Sequence, residues 1–261
     1  ADLPALPGDG VVPMSYAAIR FDSVTKSFGD RRVLDEVSFE IPRATAFCLL
    51  GRSGTGKSVT LRHIIGLMRP DSGRVFVNDD EISALDSRGL SRIRQGMGFL
   101  FQNAALFDSL TVGENVAFPL RRHQRQLSDT AVRSAARDKL AQVGLEADYD
   151  KMPAELSGGM RKRAGLARAM ALSPPLLLVD EPSAGLDPIT AGEIDQLLVD
   201  LKRQQGTTLV VVTHNIPSAR AIGDELALLA NGRIVARGTA ATLDQSADPL
   251  VRAFMHSEGS G

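Results

Sequence analysis

The stretch that decides the fold of this chain is Gly51-Arg52-Ser53-Gly54-Thr55-Gly56-Lys57-Ser58, which matches the pattern G-x-x-x-x-G-K-[ST]. It follows the apolar run Ala46–Leu50, and a helical pattern begins at Lys57, which is the context that the pattern requires. Glycines allow a tight turn with inward-pointing N–H groups, and the helix N-terminus adds partial positive charge. The stretch therefore predicts a phosphate-binding loop on an α/β fold.

Within this loop the side chains have separate predicted tasks. Lys57 would neutralise the β- and γ-phosphate oxygens of a nucleotide, and the hydroxyl of Ser58 would ligate Mg²⁺. A glycine-rich turn that carries Lys-Ser by chance is the alternative, and the agreement of motif with context favours phosphate binding. The predicted nucleotide-binding residues of this segment are Gly51, Ser53, Gly54, Thr55, Gly56, Lys57, Ser58 and Val59.

A second apolar run, Leu176-Leu177-Leu178-Val179, ends in the adjacent carboxylates Asp180 and Glu181. Ligands bind at the carboxyl ends of strands in open α/β sheets. We predict that Asp180 holds Mg²⁺ through water and that Glu181 accepts a proton from the attacking water or orients it. Neighbouring strand residues point to opposite faces, so the two carboxylates take different tasks unless the strand has already ended.

Short apolar runs alternate with helical patterns along the chain, which indicates an α/β layered domain. The runs are predicted as strands at 18–21, 37–41, 46–50, 74–77, 97–101, 176–179, 208–212, 225–229 and 233–236, and the helices at 57–67, 129–143, 160–171, 190–202, 216–221 and 251–255. Residues 103–171 offer helical patterns without a convincing strand, so they are predicted to be a helical insertion. Hairpin-like strands before Ala46 and a final pair joined across Asn231-Gly232 predict antiparallel additions.

Composition excludes several classes of protein. The 261 residues contain 30 Lys and Arg against 31 Asp and Glu, so a net charge of −1 gives no general attraction to nucleic acid or anionic lipid. The single cysteine, Cys48, permits no intrachain disulfide and favours a reducing compartment. No apolar run approaches the ~18 residues that span a bilayer. Residues 1–14 are predicted to be a flexible leader without the features of a secretory signal.

A third motif, Leu156-Ser157-Gly158-Gly159-Met160, resembles the signature of the ATP-binding cassette (ABC) family of transport ATPases, and the likeness covers residues 19–235. The resemblance implies a P-loop NTPase (RecA-like) core at 15–102 and 172–238 and an inserted helical subdomain at 103–171. A C-terminal helix and tail would follow at 239–261. Ser157, Gly158 and Gly159 would bind the ATP held by a second copy, so two copies form a homodimer around two nucleotides.

Further positions match the family residue by residue. Gln102 resembles the glutamine that senses metal and water and links the core to the helical insertion, and His214 resembles the switch histidine that contacts the γ-phosphate. Asp187, in Ser183-Ala184-Gly185-Leu186-Asp187, resembles the residue that couples the two sites. Phe28 resembles the aromatic residue that stacks on adenine. Met160 and Asn215 depart from the commoner Gln and Asp of the family.

Those departures resemble a subgroup, the MlaF-type ATPases that serve mammalian-cell-entry (MCE) lipid transporters. Residues 101–110, 114–120, 156–165 and 187–190 carry the likeness. It implies ATP and Mg²⁺ as cofactors, a separate integral-membrane permease, an MCE-domain protein with accessory subunits, and a peripheral position on the cytoplasmic face of the inner membrane. The implied activity is ATP hydrolysis coupled to movement of phospholipid or other lipid between membranes.

Three alternatives stay open from the sequence. One is the ATPase of a nutrient importer. Another is a soluble cassette protein acting on nucleic acid or ribosomes, for which the basic clusters at 121–125 and 161–163 could be offered as contacts, although such clusters are more often solvated helix faces or subunit contacts. The third is a nucleotide-gated structural subunit without turnover.

Overall fold

A computed structural model describes residues 17–257, so the predicted leader and the last four residues of the predicted tail lie outside the described part of the chain. The strands are β1 (Ala17–Phe28), β2 (Arg31–Pro42), β3 (Ala46–Leu50), β4 (Ser72–Val77), β5 (Asp80–Glu81), β6 (Met97–Leu100), β7 (Leu176–Asp180), β8 (Thr208–Thr213), β9 (Glu225–Ala230) and β10 (Arg233–Gly238). The helices are α1 (Lys57–Ile64), α2 (Ser87–Arg94), α3 (Val112–His123), α4 (Asp129–Gln142), α5 (Gly158–Ala169), α6 (Pro188–Gln205), α7 (Ile216–Ile222), α8 (Ala240–Asp244) and α9 (Pro249–Met255).

The central layer is a six-stranded sheet in the order β10-β9-β3-β8-β7-β6. Strands β9, β3, β8, β7 and β6 run parallel, and β10 joins the edge antiparallel. All residues of β3 and β8 are buried, which explains their continuous apolar character, since both faces of a parallel sheet are covered. This sheet aligns the carboxyl ends of β3, β7 and β8 along one edge.

A second, antiparallel sheet in the order β2-β1-β4-β5 covers one face of the central sheet. Phe21, Phe39 and Phe47 stack in series between the two sheets, with ring centroids 4.5 and 5.4 Å apart. The predicted hairpin before Ala46 is confirmed as β1 and β2, and the predicted pair across Asn231-Gly232 is confirmed as β9 and β10. The antiparallel sheet thus places the turn after Phe28 close to the phosphate-binding loop.

Helices α3, α4 and α5 occupy residues 103–171, and within the described chain this interval contains no strand. Thr111 and Glu114 form a capping box at the start of α3, and Ser128 caps α4. Buried residues of all three helices, such as Val116, Leu140 and Leu166, share one core with β6 and β7. Helix α5 packs on β6 of the central sheet, and α3 and α4 pack on α5 and on each other.

Several helix boundaries differ from the sequence prediction for identifiable reasons. Helix α1 ends at Ile64 rather than at residue 67, because the chain turns at Gly66 with φ 69°. Helix α5 begins at Gly158 rather than at residue 160, because Ser157 is its N-cap. Helix α6 is longer than 190–202, since Asp187 caps Pro188 at its start. Helices α2, α3 and α8 were not predicted; of the eight residues of α2 only Leu90 and Ile93 are large and apolar.

In the described part of the chain, no helix combines the length and the apolarity that crossing a bilayer requires.

Candidate nucleotide-binding site

A cleft of about 480 Å³ opens at the carboxyl edge of the central sheet. It is lined by Phe28, Arg31, Val33, Ser53, Gly54, Gly56, Lys57, Ser58, Val59, Arg62, Gln102, Glu181 and His214. The fold therefore brings most of the predicted nucleotide-binding and catalytic residues together, although they are spread over more than half of the chain.

The loop between β3 and α1 takes its shape from glycines. Gly54 and Gly56 have backbone φ values of 76° and 109°, which residues other than glycine rarely adopt. An added Cβ at Gly56 would lie 2.9 Å from Val33 Cγ1 and 3.0 Å from the Val33 carbonyl oxygen. Arg31 Nη2 donates a hydrogen bond to the carbonyl oxygen of Gly54 at 2.7 Å, so the β1–β2 turn supports the loop from outside.

Lys57 lies inside this loop with only 6% of its surface exposed. Its Nζ donates hydrogen bonds to the carbonyl oxygens of Gly51 at 2.8 Å and Arg52 at 3.2 Å, and it lies 3.3 Å from Glu181 Oε1. The loop carbonyls therefore fix the ammonium group at the mouth of the loop, where phosphate oxygens would meet it.

Ser58, which lines the cleft, faces Asp180 at the end of β7. The Ser58 hydroxyl donates a hydrogen bond to Asp180 Oδ1 at 3.0 Å. Burial raises the pKa of the Asp180 carboxyl, and the bond from Ser58 partly opposes that rise. A neighbouring hydroxyl and carboxylate, with the Gln102 side chain on the same cleft, form the oxygen-rich set that Mg²⁺ prefers beside nucleotide phosphates.

These groups fit Mg²⁺ only as part of a nucleotide complex. Among the described residues no group of three or more His, Cys, Asp or Glu side chains could hold a metal ion. In nucleotide sites Mg²⁺ is usually bound by one or two protein oxygens, and phosphate oxygens and water complete its coordination. The donor set is therefore adequate for a metal that arrives with its nucleotide.

Glu181 follows the last residue of β7 and has a left-handed backbone with φ 47°. The strand has thus ended at Asp180, which answers the question that strand alternation left open. Glu181 Oε2 accepts hydrogen bonds from Thr213 Oγ1 at 3.0 Å and from the His214 amide at 3.3 Å, and it lies 2.9 Å from His214 Nδ1. The carboxylate is held at the end of β8, facing the cleft.

Lys162, on the first turns of α5, reaches the same segment from the other side. Its Nζ donates a hydrogen bond to the main-chain carbonyl oxygen of Glu181 at 2.9 Å, and the side chain is 5% exposed. Burial lowers the pKa of the Lys162 ammonium, while the charges of Asp180 and Glu181 oppose that shift. Sequence reasoning placed Lys162 in a basic cluster at 161–163 and missed this contact.

The predicted second anion site lies outside the cleft. Ser157 caps α5 by accepting a hydrogen bond from the Met160 amide at 3.2 Å, and Gly158 is exposed. A Cβ added to Gly159 would run into Thr190 Cγ2, so the start of α5 packs on the start of α6. Asp187 accepts hydrogen bonds from the amides of Ile189 at 3.1 Å and Thr190 at 3.0 Å. The structure groups Ser157, Gly158, Gly159 and Asp187 with one another, apart from Lys57.

Other residues at the cleft carried weaker sequence signals. The Phe28 ring is 47% exposed at the rim of the cleft, beside Arg31. Arg31, Arg62 and Val33 line it without belonging to any motif, and only the fold identifies them. Thr213 was within reach of sequence reasoning, because it directly precedes His214 at the end of a predicted strand.

The two basic clusters that could be offered as nucleic-acid contacts, residues 121–125 and 161–163, differ in exposure. In the second cluster Lys162 is buried, and Arg163 pairs with Glu193 and donates to the Val143 carbonyl oxygen. Only Arg161 of that cluster is exposed. In the first cluster Arg121 lies in the last turn of α3, 3.9 Å from Asp129. The second cluster therefore forms no continuous basic face, whereas Arg121, Arg122 and Arg125 of the first cluster are all exposed.

Comparison with known proteins gives a consistent match. A family model described as "ABC transporter" matches residues 34–184. The chain is 42% identical over 257 residues to a probable ribonucleotide transport ATP-binding protein, mkl, of Mycobacterium leprae (strain TN), covering 98% of this chain and 74% of the relative. It is 42% identical over 233 residues to the intermembrane phospholipid transport system ATP-binding protein MlaF of Escherichia coli (strain K12), covering 89% and 86%.

A solved structure agrees with these sequence matches. It is the dimeric post-hydrolysis state of an ATP-binding cassette bound to ADP and Pi. It shares 35% identity with this chain at a TM-score of 0.79, covering 85% of this chain and 98% of the other.

Proposed function

Since this chain belongs to the ABC transporter family and is an ATP-hydrolysing cassette of that family, we propose that it drives the movement of phospholipid or related lipid between membranes. The observation that carries the ATPase assignment is the convergence of Lys57, Glu181 and His214 on one cleft. The lipid assignment is supported by the likeness to MlaF. The mkl relatives are named for ribonucleotide transport, so nucleotide cargo is the second candidate.

Nucleotide binding would proceed through groups already in position. The N–H groups of the loop and the start of α1 would surround the phosphates, with Lys57 neutralising their charge. Adenine would lie against the exposed ring of Phe28, because aromatic stacking tolerates either Phe or Tyr. Ser58 and Asp180, with Gln102, would hold Mg²⁺, which would neutralise phosphate charge and orient the triphosphate.

Hydrolysis would depend on the carboxylate of Glu181. In this role Glu181 accepts the proton of the attacking water, and His214 and Thr213 keep its side chain directed at the cleft. His214 would also contact the γ-phosphate, since it lines the same cleft. A carboxylate fixed by three hydrogen bonds needs little reorganisation during the reaction.

A second copy would complete each site. Ser157, Gly158 and Gly159 lie outside the cleft of their own subunit, and Ser157 and Gly158 are exposed, so this segment could meet a nucleotide bound to another copy. The start of a capped helix suits phosphate oxygens. The dimeric cassette neighbour supports a homodimer in which two nucleotides are enclosed between the phosphate-binding loop of one copy and the signature segment of the other.

An exposed aromatic surface beside the cleft supports docking of a separate permease. Phe107 and Phe118 are 44% and 47% exposed and their ring centroids lie 5.0 Å apart, while Phe101 next to Gln102 is 40% exposed. Arg168 of α5 donates to the carbonyl oxygens of Ala104 at 2.8 Å and Ala105 at 2.7 Å. Because residues 104–107 follow Gln102 closely in the chain, movement of Gln102 would be passed to this surface. The surface would meet the permease at the cytoplasmic face of the inner membrane.

The lipid assignment is tested by purifying the full-length protein from membranes of its own cells through a mild detergent. We expect an integral permease and an MCE-domain protein to co-purify, and the reconstituted complex to move phospholipid between vesicles only with ATP. The variant Glu181→Gln is the matched control for that ATP dependence. Recovery of a nucleoside, sugar or amino-acid permease instead would contradict the lipid assignment.

A further inference from the structure

Lys162 is a buried cation that donates a hydrogen bond to the main chain of the proposed catalytic glutamate. Its Nζ lies 2.9 Å from the Glu181 carbonyl oxygen and only 5% of the residue is exposed. Burying a lysine costs free energy unless its ammonium group gains partners. The hydrogen bond to Glu181 therefore offsets part of the free-energy cost of burying Lys162, and it acts on the residue whose position in the cleft matters most for hydrolysis.

The Glu181 main chain is a place where such support matters. Its φ of 47° is unfavourable for a residue with a Cβ, and such backbone persists only where surrounding groups fix it. The Glu181 amide donates to the Val212 carbonyl oxygen at 2.9 Å, and the Glu181 carbonyl accepts from the Ala184 amide at 3.3 Å. The Lys162 bond is shorter than the Ala184 bond and comes from a different element of the fold.

Helix α5 is a firm base from which to hold that carbonyl. A Cβ added to Gly165 would lie 2.9 Å from Ala104 Cβ, so the helix sits very close to the chain that follows β6. Arg168 anchors its far end to the Ala104 and Ala105 carbonyls. A side chain from this helix can therefore fix the direction of the turn that carries the Glu181 carboxylate.

We propose that Lys162 is a positioning residue for ATP hydrolysis, which holds the left-handed turn at Glu181 through the main-chain carbonyl and so directs the carboxylate at the attacking water. This proposal rests on the proposed role of Glu181. Lys162 acts on Glu181 of its own subunit, while Ser157 of the same helix faces the nucleotide of the partner. Loss of the Lys162 side chain slows the hydrolysis step and leaves the affinity for ATP unchanged.

The experiment measures kcat and KM for ATP with the full-length protein and its Lys162→Met variant. Met keeps most of the aliphatic side chain and removes the donor. We expect kcat to fall at least tenfold while KM stays within threefold of wild type. Lys139→Met is the control, since Lys139 donates to Ser173 Oγ at 2.9 Å on another surface, and its kcat is expected to stay within twofold.

Rescue separates a donor from mere filling of space. Gln restores a neutral donor and Arg a charged one, and we expect at least one of Lys162→Gln and Lys162→Arg to recover most of the lost kcat. If Lys162→Met keeps kcat within twofold, or neither donor variant recovers activity, the proposal is wrong. Should the Met variant fail to fold by circular dichroism, Lys162→Ala is assayed against the same thresholds.

A second measurement tests whether Lys162 acts through Glu181 or through the signature segment, residues 157–159, at the start of the same helix. Lys162→Met is placed in the Glu181→Gln background, and the fraction of dimer formed with ATP is compared with that of Glu181→Gln alone. We expect equal fractions; a clear loss would place the effect in the nucleotide-contacting helix and overturn the proposal. If Glu181→Gln by itself hydrolyses ATP normally, the failure is that of the proposed function.

Discussion

Lys57 Nζ lies 3.3 Å from Glu181 Oε1, so the cation of the phosphate-binding loop and the carboxylate after β7 form a buried ion pair. The two residues are 6% and 8% exposed. A phosphate group entering the loop competes with Glu181 for the same ammonium. In the proposed cycle, nucleotide binding would therefore separate Glu181 from Lys57 and leave the Glu181 carboxylate available to the attacking water. Lys57 and Glu181 should consequently respond differently to substitution.

Replacing Glu181 by Gln keeps the shape of the side chain and removes its ability to accept a proton. We expect ATP hydrolysis to fall at least a hundredfold, because general bases contribute about 10²–10⁴ in rate. Binding of a fluorescent ATP analogue should persist, and size-exclusion chromatography with ATP should show a stable dimer. Hydrolysis at the wild-type rate would remove Glu181 from its proposed role.

Replacing Lys57 by Met removes the cation from the loop, and we expect binding of the fluorescent ATP analogue to weaken at least a hundredfold. The free energy of unfolding should also fall, because breaking a buried pair leaves the Glu181 carboxylate without its partner, at a cost of about 3–5 kcal/mol. The double variant Lys57→Met/Glu181→Gln should regain stability in chemical denaturation without regaining binding. Unchanged affinity in Lys57→Met would contradict the assignment of the loop.

Phe28 is tested by a pair of substitutions. Phe28→Ala should raise KM for ATP about tenfold, since stacking of a base on an aromatic ring contributes about 1–3 kcal/mol. Phe28→Tyr keeps the ring and should stay within twofold of wild type. The ring is half exposed, so neither change should lower the melting temperature appreciably. Equal KM values for Ala and Tyr would show that the base lies elsewhere.

Gly56 and Gly192 give a matched test of backbone demands. Gly56→Ala places a Cβ 2.9 Å from Val33 Cγ1 at φ 109°, and we expect a loss of about 1–3 kcal/mol in the free energy of unfolding. Gly192 lies within α6 with nothing within 4 Å of an added Cβ, so Gly192→Ala should stabilise the protein by about 0.5–1 kcal/mol. Urea denaturation measures both, and a tolerated Gly56→Ala would contradict the loop geometry.

Asp195 gives a pH-dependent expectation. It is buried in α6 with no hydrogen-bond partner for Oδ1 among the described residues, and burial raises its pKa, opposed in part by a bond from Ser218. Because the folded pKa exceeds the unfolded value of about 3.9, this carboxyl destabilises the fold increasingly as pH rises above that value.

Asp195→Asn should therefore raise the free energy of unfolding at pH 7.5, by about 1–3 kcal/mol if the unpaired charged oxygen is the cause. The gain should be smaller at pH 4, because that pH lies close to the unfolded pKa of about 3.9 and the cost of ionising the buried carboxyl has only begun to accumulate there. Asp200→Asn on the same helix is the control, since Gln196 Nε2 donates to its Oδ1 at 2.8 Å. A gain that is larger at pH 4 than at pH 7.5 would contradict the expectation.

Local patterns were sufficient for much of the site. The spacing of Gly51 to Ser58, the strand ending in Asp180, and the capped start of α5 each carry their chemistry in consecutive residues, and the predicted strands 46–50, 176–179, 208–212 and 225–229 are all confirmed. Contacts between distant segments were not accessible in that way. The support of Gly54 by Arg31 joins two loops that no motif connects.

The sequence by itself determined the fold class and the identity of the phosphate-binding groups, because glycine spacing and continuous apolar runs act through the local backbone and burial. Only the tertiary structure decided that β7 ends before Glu181 and that Lys162 turns inward to the Glu181 carbonyl. These facts depend on how α5 packs against the central sheet. Packing of that kind sums many weak contacts between residues far apart in the chain, which no short pattern records.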